Sequence, residues 1–203
     1  MKGEMLMTDD FTGKRIGFAM TGSFCSFERC FAQAERLASM GAELIPIMSE
    51  NAAAISSRFG KNEDNVKRLG DICNRAVITE ICEAEPIGPK NMTDIMVVAP
   101  CTSNTAAKLA AGITDTAVTM AVKSHLRSGK PVVLAIASND SLLASAKNIG
   151  ELFNRKNYFF VPMLQDDIVK KPASLVAQFE LIPEAVSAAF KGIQLRPIID
   201  TNP

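Results

Sequence analysis

Asp94-Ile95-Met96-Val97-Val98-Ala99, running into Pro100-Cys101-Thr102-Ser103-Asn104-Thr105, decides the fold of this chain. The first six residues are almost wholly apolar and branched, the mark of a strand buried on both faces in the middle of a parallel sheet. Pro100 is read as its end. From Asn104 the spacing turns helical, with residues 104–111 as a helix and Gly112 at its C-terminal cap. One of Thr102, Ser103 and Asn104 must cap that helix. Four hydrogen-bonding side chains, Thr102 to Thr105, exceed what one cap needs. Free N–H groups and the helix dipole favour an anion at such a strand-to-helix turn, so the turn is read as part of a phosphate or other anion site.

The same alternation extends in both directions. Arg15–Met20, Glu43–Met48 and residues 131–137 and 158–161 read as strands. Residues 24–40, 65–75, 116–128, 142–154 and 175–190 read as helices, and Gly41 and Gly129 fit helix ends. Residues 51–64 and 83–93 carry no clear period. Strands alternating with helices imply an α/β fold, a Rossmann-like three-layer parallel sheet. Right-handed crossovers bring the loops that follow the strands to one edge, where ligands of such folds bind. The length of 203 residues suits one core. Residues 1–13 are expected to be a polar lead-in and residues 14–203 a single domain.

Composition narrows the function. Lys plus Arg equals Asp plus Glu, 22 of each, which gives no electrostatic footprint for nucleic acid or an anionic membrane. No apolar run approaches the ~18 residues of a membrane span, and the N-terminus lacks a signal-peptide core, so a cytoplasmic protein is expected. The five cysteines contain no CxxC pair and there is one histidine, so no metal site is expected.

Three further loops share the ligand edge. Thr21-Gly22-Ser23-Phe24 follows the first strand; it is either a phosphate-binding turn or only a turn, and it is not the GxGxxG fingerprint. Ser49, after the second strand, caps a helix or holds a phosphate oxygen. Asn139, after the strand at 131–137, caps a helix or donates to a ring carbonyl.

Ala99-Pro100-Cys101-Thr102-Ser103-Asn104-Thr105-Ala106-Ala107-Lys108-Leu109-Ala110-Ala111-Gly112-Ile113-Thr114-Asp115 resembles the APxTxNTxAKxAxGxxD pattern of the homo-oligomeric flavin-containing cysteine decarboxylase-like family. The TGS loop at 21–23 and Asn139 also match. The resemblance implies a flavoprotein-type Rossmann-like domain, a homo-oligomer, and FMN between subunits. The phosphate would rest on Gly22, Ser23, Ser49, Thr102 and Ser103, with Phe24 beside it. The ring would lie near Pro100, Asn104 and Asn139. NADP phosphates, or a dicarboxylate, would suit the same polar loops.

GKRIGFAMTGSFCSFE (13–28), AEPIGPK (84–90), KPVVLAIASND (130–140) and FFVPMLQDDIVKKPASLVA (159–177) resemble one branch of that family. That branch implies oxidation of dihydrodipicolinate to pyridine-2,6-dicarboxylate in the mother cell of a sporulating bacterium, with a second, nicotinamide-binding subunit. The family's decarboxylases carry a histidine at the position of Pro86, so flavin-dependent decarboxylation, like a non-catalytic flavin-binding scaffold, is the alternative. His125 is read as a surface or packing residue. Cys101 is either a reactive thiol or a packing residue. No side chain is assigned a catalytic role. Arg58 and Lys90 are the expected partners of the substrate carboxylates, with Lys61 and Lys108 as further cations.

Overall fold

The computed structural model describes residues 10–165 and 167–200. Residues 1–9 of the expected lead-in and residues 201–203 lie outside the described residues. Five strands, β1 (Arg15–Met20), β2 (Glu43–Met48), β3 (Ile95–Cys101), β4 (Val132–Ser138) and β5 (Tyr158–Phe160), form a parallel sheet in the order β2-β1-β3-β4-β5. The order reverses direction between β1 and β3, so the loops leaving these two strands diverge and open a crevice at their carboxyl ends. Two short antiparallel strands, β6 (Met163–Leu164) and β7 (Leu175–Ala177), extend the sheet beside the end of β4.

Helices cover both faces. On one face Ile16, Phe18 and Met20 of β1 pack with Phe27, Phe31 and Leu37 of α1 (Phe27–Ser39) and with Ile182 and Val186 of α8 (Ile182–Phe190). On the other, Met96, Val98 and Leu134 pack with Ala106 and Leu109 of α5 (Ser103–Ala111) and Val118 and Val122 of α6 (Ala117–Leu126). The period-two alternation of the strands thus serves two separate apolar layers, the origin of the continuous apolar runs. Between these elements lie α2 (Glu50–Ala54), α3 (Asn62–Cys73), α4 (Ile81–Ala84) and α7 (Ala146–Phe153). Among the described residues, no helix is long and apolar enough to cross a membrane.

Several boundaries differ from the sequence reading. Pro100 does not end β3: the strand continues to Cys101, which pairs with Ile136 across an irregularity in register after Val98, a setting that tolerates a residue without an N–H. Residues 175–190 are not one helix. Leu175–Ala177 pair with Ala137, Ser138, Met163 and Leu164 as β7, and a 3-10 turn (Phe179–Leu181) precedes α8, whose first turn holds Pro183. Backbone pairing here outweighs a helical pattern of apolar residues. The helix read over 142–154 begins only at Ala146. The Asp140 carboxylate accepts hydrogen bonds from the hydroxyls of Ser138 and Ser145, at 2.5 and 2.8 Å, and holds the intervening segment as turns. The aperiodic stretches contain α2, α4, the start of α3 and a 3-10 helix at Glu85–Ile87. Packing begins before residue 14: Phe11 is buried, its N–H donates to the Met40 carbonyl and its ring meets that of Phe190.

The amino-terminal edge is closed by polar pairs. Asp94 accepts from Arg15 and Lys130; burial alone would raise its pKa, but these hydrogen bonds hold it at about 2. His125 is buried on α6. Its Nε2–H donates to the Pro131 carbonyl at 2.9 Å, and the Thr93 hydroxyl donates to Nδ1 at 2.8 Å, the neutral tautomer. Burial, with Lys130 nearby, lowers its pKa to about 4. Since the unfolded chain takes up this proton near pH 6.5, stability present above that pH is lost as pH falls toward 4, by up to about 3 kcal/mol. Urea unfolding from pH 7 to 4 is expected to show this slope, and a His125→Asn variant to flatten it.

Candidate active site

Thr21 is the hub of the carboxyl edge. Its side chain is buried between the loops that leave β1 and β3. The hydroxyl donates to the Pro100 carbonyl at 2.7 Å and accepts from the Thr102 N–H at 3.0 Å, while its own N–H also donates to Pro100. Thr102 caps α5, its hydroxyl accepting from the Thr105 N–H at 3.3 Å. The loop after β2 joins through the Ser49 N–H, which donates to the Met20 carbonyl, and the Ser49 hydroxyl caps α2.

These three loops enclose a cleft of about 380 Å³. Gly22, Phe24, Ser49, Thr102, Ser103 and Asn104 all line it, as do Thr21, Lys108 and the apolar Ile55 at its rim. Lys108 reaches Asp115 with contacts of 2.8 and 2.9 Å, which lowers the Asp115 pKa. A methyl group built on Gly22 would meet nothing closer than 3.9 Å, so the missing side chain leaves open space in the cleft. Hydroxyls, the N-terminus of a nine-residue helix and one lysine suit a phosphate. Phe24 and Ile55 offer apolar contact to a ring. The residues therefore fit a flavin mononucleotide.

The remaining expected residues are placed elsewhere. Ser23 and Asn139 line a second cleft of about 290 Å³, with Cys25, Ser26, Arg29, Ser138 and Lys171. Pro100 is buried and lines neither cleft; its carbonyl accepts from the hydroxyl and the N–H of Thr21. Arg58 is exposed at the tip of a turn closed by Ser57 and Gly60, its guanidinium 4.8 Å from the Phe59 ring centre, and lines neither cleft. Lys90 is exposed just ahead of β3, next to Asn91, whose carbonyl accepts from Arg15 at the start of β1, and lines neither cleft. It stands at the opposite edge of the sheet. Cys101 is fully buried and burial pushes its thiol up to about 12, so it packs as a thiol and is no nucleophile. Among the described residues no three His, Cys, Asp or Glu side chains cluster as a metal site.

The sequence placed Thr21 in a candidate phosphate-binding turn and Lys108 among the candidate substrate cations, but did not single out Asp115 or its pairing with Lys108. The signal for the pair was present, since both residues are fixed positions of the pattern that carried the resemblance. For Arg29 and Lys171 there was none, because they come from α1 and from the segment between β6 and β7.

Comparison with known proteins agrees with this geometry. The Flavoprotein family profile matches residues 6–191. The B subunit of dipicolinate synthase from Bacillus subtilis (strain 168) is 44% identical over 190 residues, which cover 94% of this chain and 95% of that protein. The crystal structure of the B subunit of dipicolinate synthase from Bacillus halodurans superposes with a TM-score of 0.87 at 38% identity, covering 95% of this chain and 98% of that one. The FMN-dependent cysteine decarboxylase SpaF shares the fold, with a TM-score of 0.67 at 20% identity, covering 88% of this chain and 98% of that one. A profile that spans nearly the whole domain, on a sheet whose carboxyl edge carries the family's motif, establishes that this chain belongs to the Flavoprotein family.

Proposed function

We propose that this chain is the B-type subunit of a dipicolinate synthase, taking two hydrogens from dihydrodipicolinate to give pyridine-2,6-dicarboxylate. The near full-length identity to the B subunit of a known dipicolinate synthase carries this reading. FMN in the larger cleft would supply a two-electron acceptor. Thr102, Ser103 and Ser49 would bind its phosphate, Lys108 would balance its charge, and Phe24 with Ile55 would shield the ring from water. Oxidation gains aromaticity, so the protein has chiefly to hold substrate and acceptor together. The A-type subunit of the synthase would be the partner and bring the nicotinamide site. The chain would assemble as a homo-oligomer in the mother-cell cytoplasm of a spore former. Decarboxylation is disfavoured, because the position of the family's histidine holds Pro86, inside the 3-10 helix Glu85–Ile87.

The test is reconstitution. With the A-type subunit, a nicotinamide cofactor and freshly generated dihydrodipicolinate, ultraviolet-absorbing dipicolinate is expected only when both subunits are present. Equal rates with the A-type subunit on its own would refute the reading.

A further inference from the structure

The second cleft shares no lining residue with the first. It is built from residues of separate elements: Ser23 and Ser26 from the loop after β1, Arg29 from α1, Asn139 from the loop after β4, and Lys171 from the segment joining β6 to β7. Among the described residues no carboxylate lines it, while two cations do. Its volume of about 290 Å³ is near the lower end of small-ligand pockets, ~300–1,000 Å³. Arg29 is held in place from behind. Glu180 accepts from its Nε at 3.1 Å and from Nη2 at 2.8 Å, and the guanidinium carbon lies 4.9 Å from the Phe179 ring centre. Its Nη1 makes no hydrogen bond among the described residues, and neither does the side-chain amide of Asn139. The two clefts flank one loop: Thr21, Gly22 and Phe24 face the larger, Ser23, Cys25 and Ser26 the smaller.

Resting on the dipicolinate reading, we propose that this smaller cleft is the substrate subsite. Arg29 and Lys171 bind the carboxylates of the small heteroaromatic dianion, and Ser23, Ser26 and Asn139 complete its hydrogen bonding. The two clefts are lined from the same 21–26 loop, so a ring bound here lies next to the flavin cleft. This assigns carboxylate recognition to Arg29 and Lys171 in place of Arg58 and Lys90. A guanidinium clamped on one side by a glutamate is pre-ordered to receive a second carboxylate.

The experiment is calorimetric titration of the full-length, FMN-supplemented protein with pyridine-2,6-dicarboxylate, and with uncharged pyridine-2,6-dimethanol as the control. Saturable binding of the dicarboxylate alone is expected. Arg29→Gln and Lys171→Gln should each weaken it by about tenfold or more, the loss of one charge-assisted contact, with flavin affinity unchanged. Glu180→Gln separates recognition from support. It removes the competing carboxylate, so binding should hold or tighten; weakening equal to that of Arg29→Gln would show a merely structural pair and overturn the proposal. Absence of saturable binding, or wild-type affinity in both cation variants, would also overturn it. In the reconstituted synthase, the variants should raise KM for dihydrodipicolinate. Wild-type KM with product still formed would sink the subsite and leave the function standing. The expected binding pattern without product from any preparation would do the reverse.

Discussion

Replacing Gly88 with alanine is expected to cost at least about 3 kcal/mol, lowering the melting temperature by on the order of 10 °C or leaving little soluble protein. A Cβ there would lie 2.0 Å from the Ser124 carbonyl oxygen and 2.7 Å from its carbon. Those atoms belong to the backbone of α6, which cannot swing aside as a side chain can. The contact is pinned from both sides: the Gly88 N–H donates to the Ser124 hydroxyl at 2.8 Å, and that hydroxyl donates to the Glu85 carbonyl. Conformation is not the reason, since Gly88 has φ −73° and ψ −60°, open to any residue. Close approach of two backbones is. Differential scanning calorimetry or far-ultraviolet circular dichroism of the variant checks this; a melting temperature within ~2 °C of the parent's would contradict the packing described.

Thr21→Val is the second large effect, and it links stability to the site. Valine matches the shape of threonine but lacks the hydroxyl. The substitution removes the 2.7 Å bond to the Pro100 carbonyl and leaves the Thr102 N–H without its 3.0 Å acceptor, in a place where Thr21 is only 1% exposed. Leaving buried backbone groups unpaired costs about 1–3 kcal/mol each, although the Thr21 N–H still donates to Pro100 and softens one loss. A total of about 2–4 kcal/mol is expected in urea unfolding. Flavin affinity should fall with it, because Thr102 sets the start of α5 and hence the positions of Ser103 and Asn104. Thr21→Ser keeps the hydroxyl and should restore most of both. Valine at parental stability would show that the hub is not what ties the two loops together.

How much of this was legible in the sequence follows from the range of each interaction. The parallel strands were readable because those inside the sheet, β3 and β4, bury both faces, which forces a continuous apolar run such as Ile95–Ala99. The helix ends at Gly41, Gly112 and Gly129 were readable because all three have positive φ, between 68° and 88°. Six of the nine expected cofactor residues line one cleft, since strand-end loops in this topology converge on one edge. What escaped was set by distant partners. Leu175–Ala177 carry a helical-looking pattern but become a strand because Ala137, Ser138 and Met163 offer backbone groups to pair with. The split of Ser23 and Asn139 from Gly22 and Ser49 depends on which side of a single loop each side chain falls, and no spacing rule encodes that. Lys90 reads as a substrate cation by its place in a proline-rich segment, and that segment precedes β3, at the end of the strand opposite the two clefts.

The central claim is that the cleft formed by Gly22, Ser49 and the 102–105 turn holds a flavin by its phosphate. Fluorescence titration of FMN with the purified protein and with an Asn104→Asp variant tests it most directly. Asn104 lines the cleft at the second position of α5, where a carboxylate suits the helix dipole and leaves the fold intact but repels a phosphate. Saturable quenching by the parent protein is expected, weakened by about tenfold or more in the variant. Riboflavin, which carries no phosphate, should not distinguish the two proteins. No saturable binding of FMN by the parent, or equal FMN affinity in parent and variant, would contradict the account.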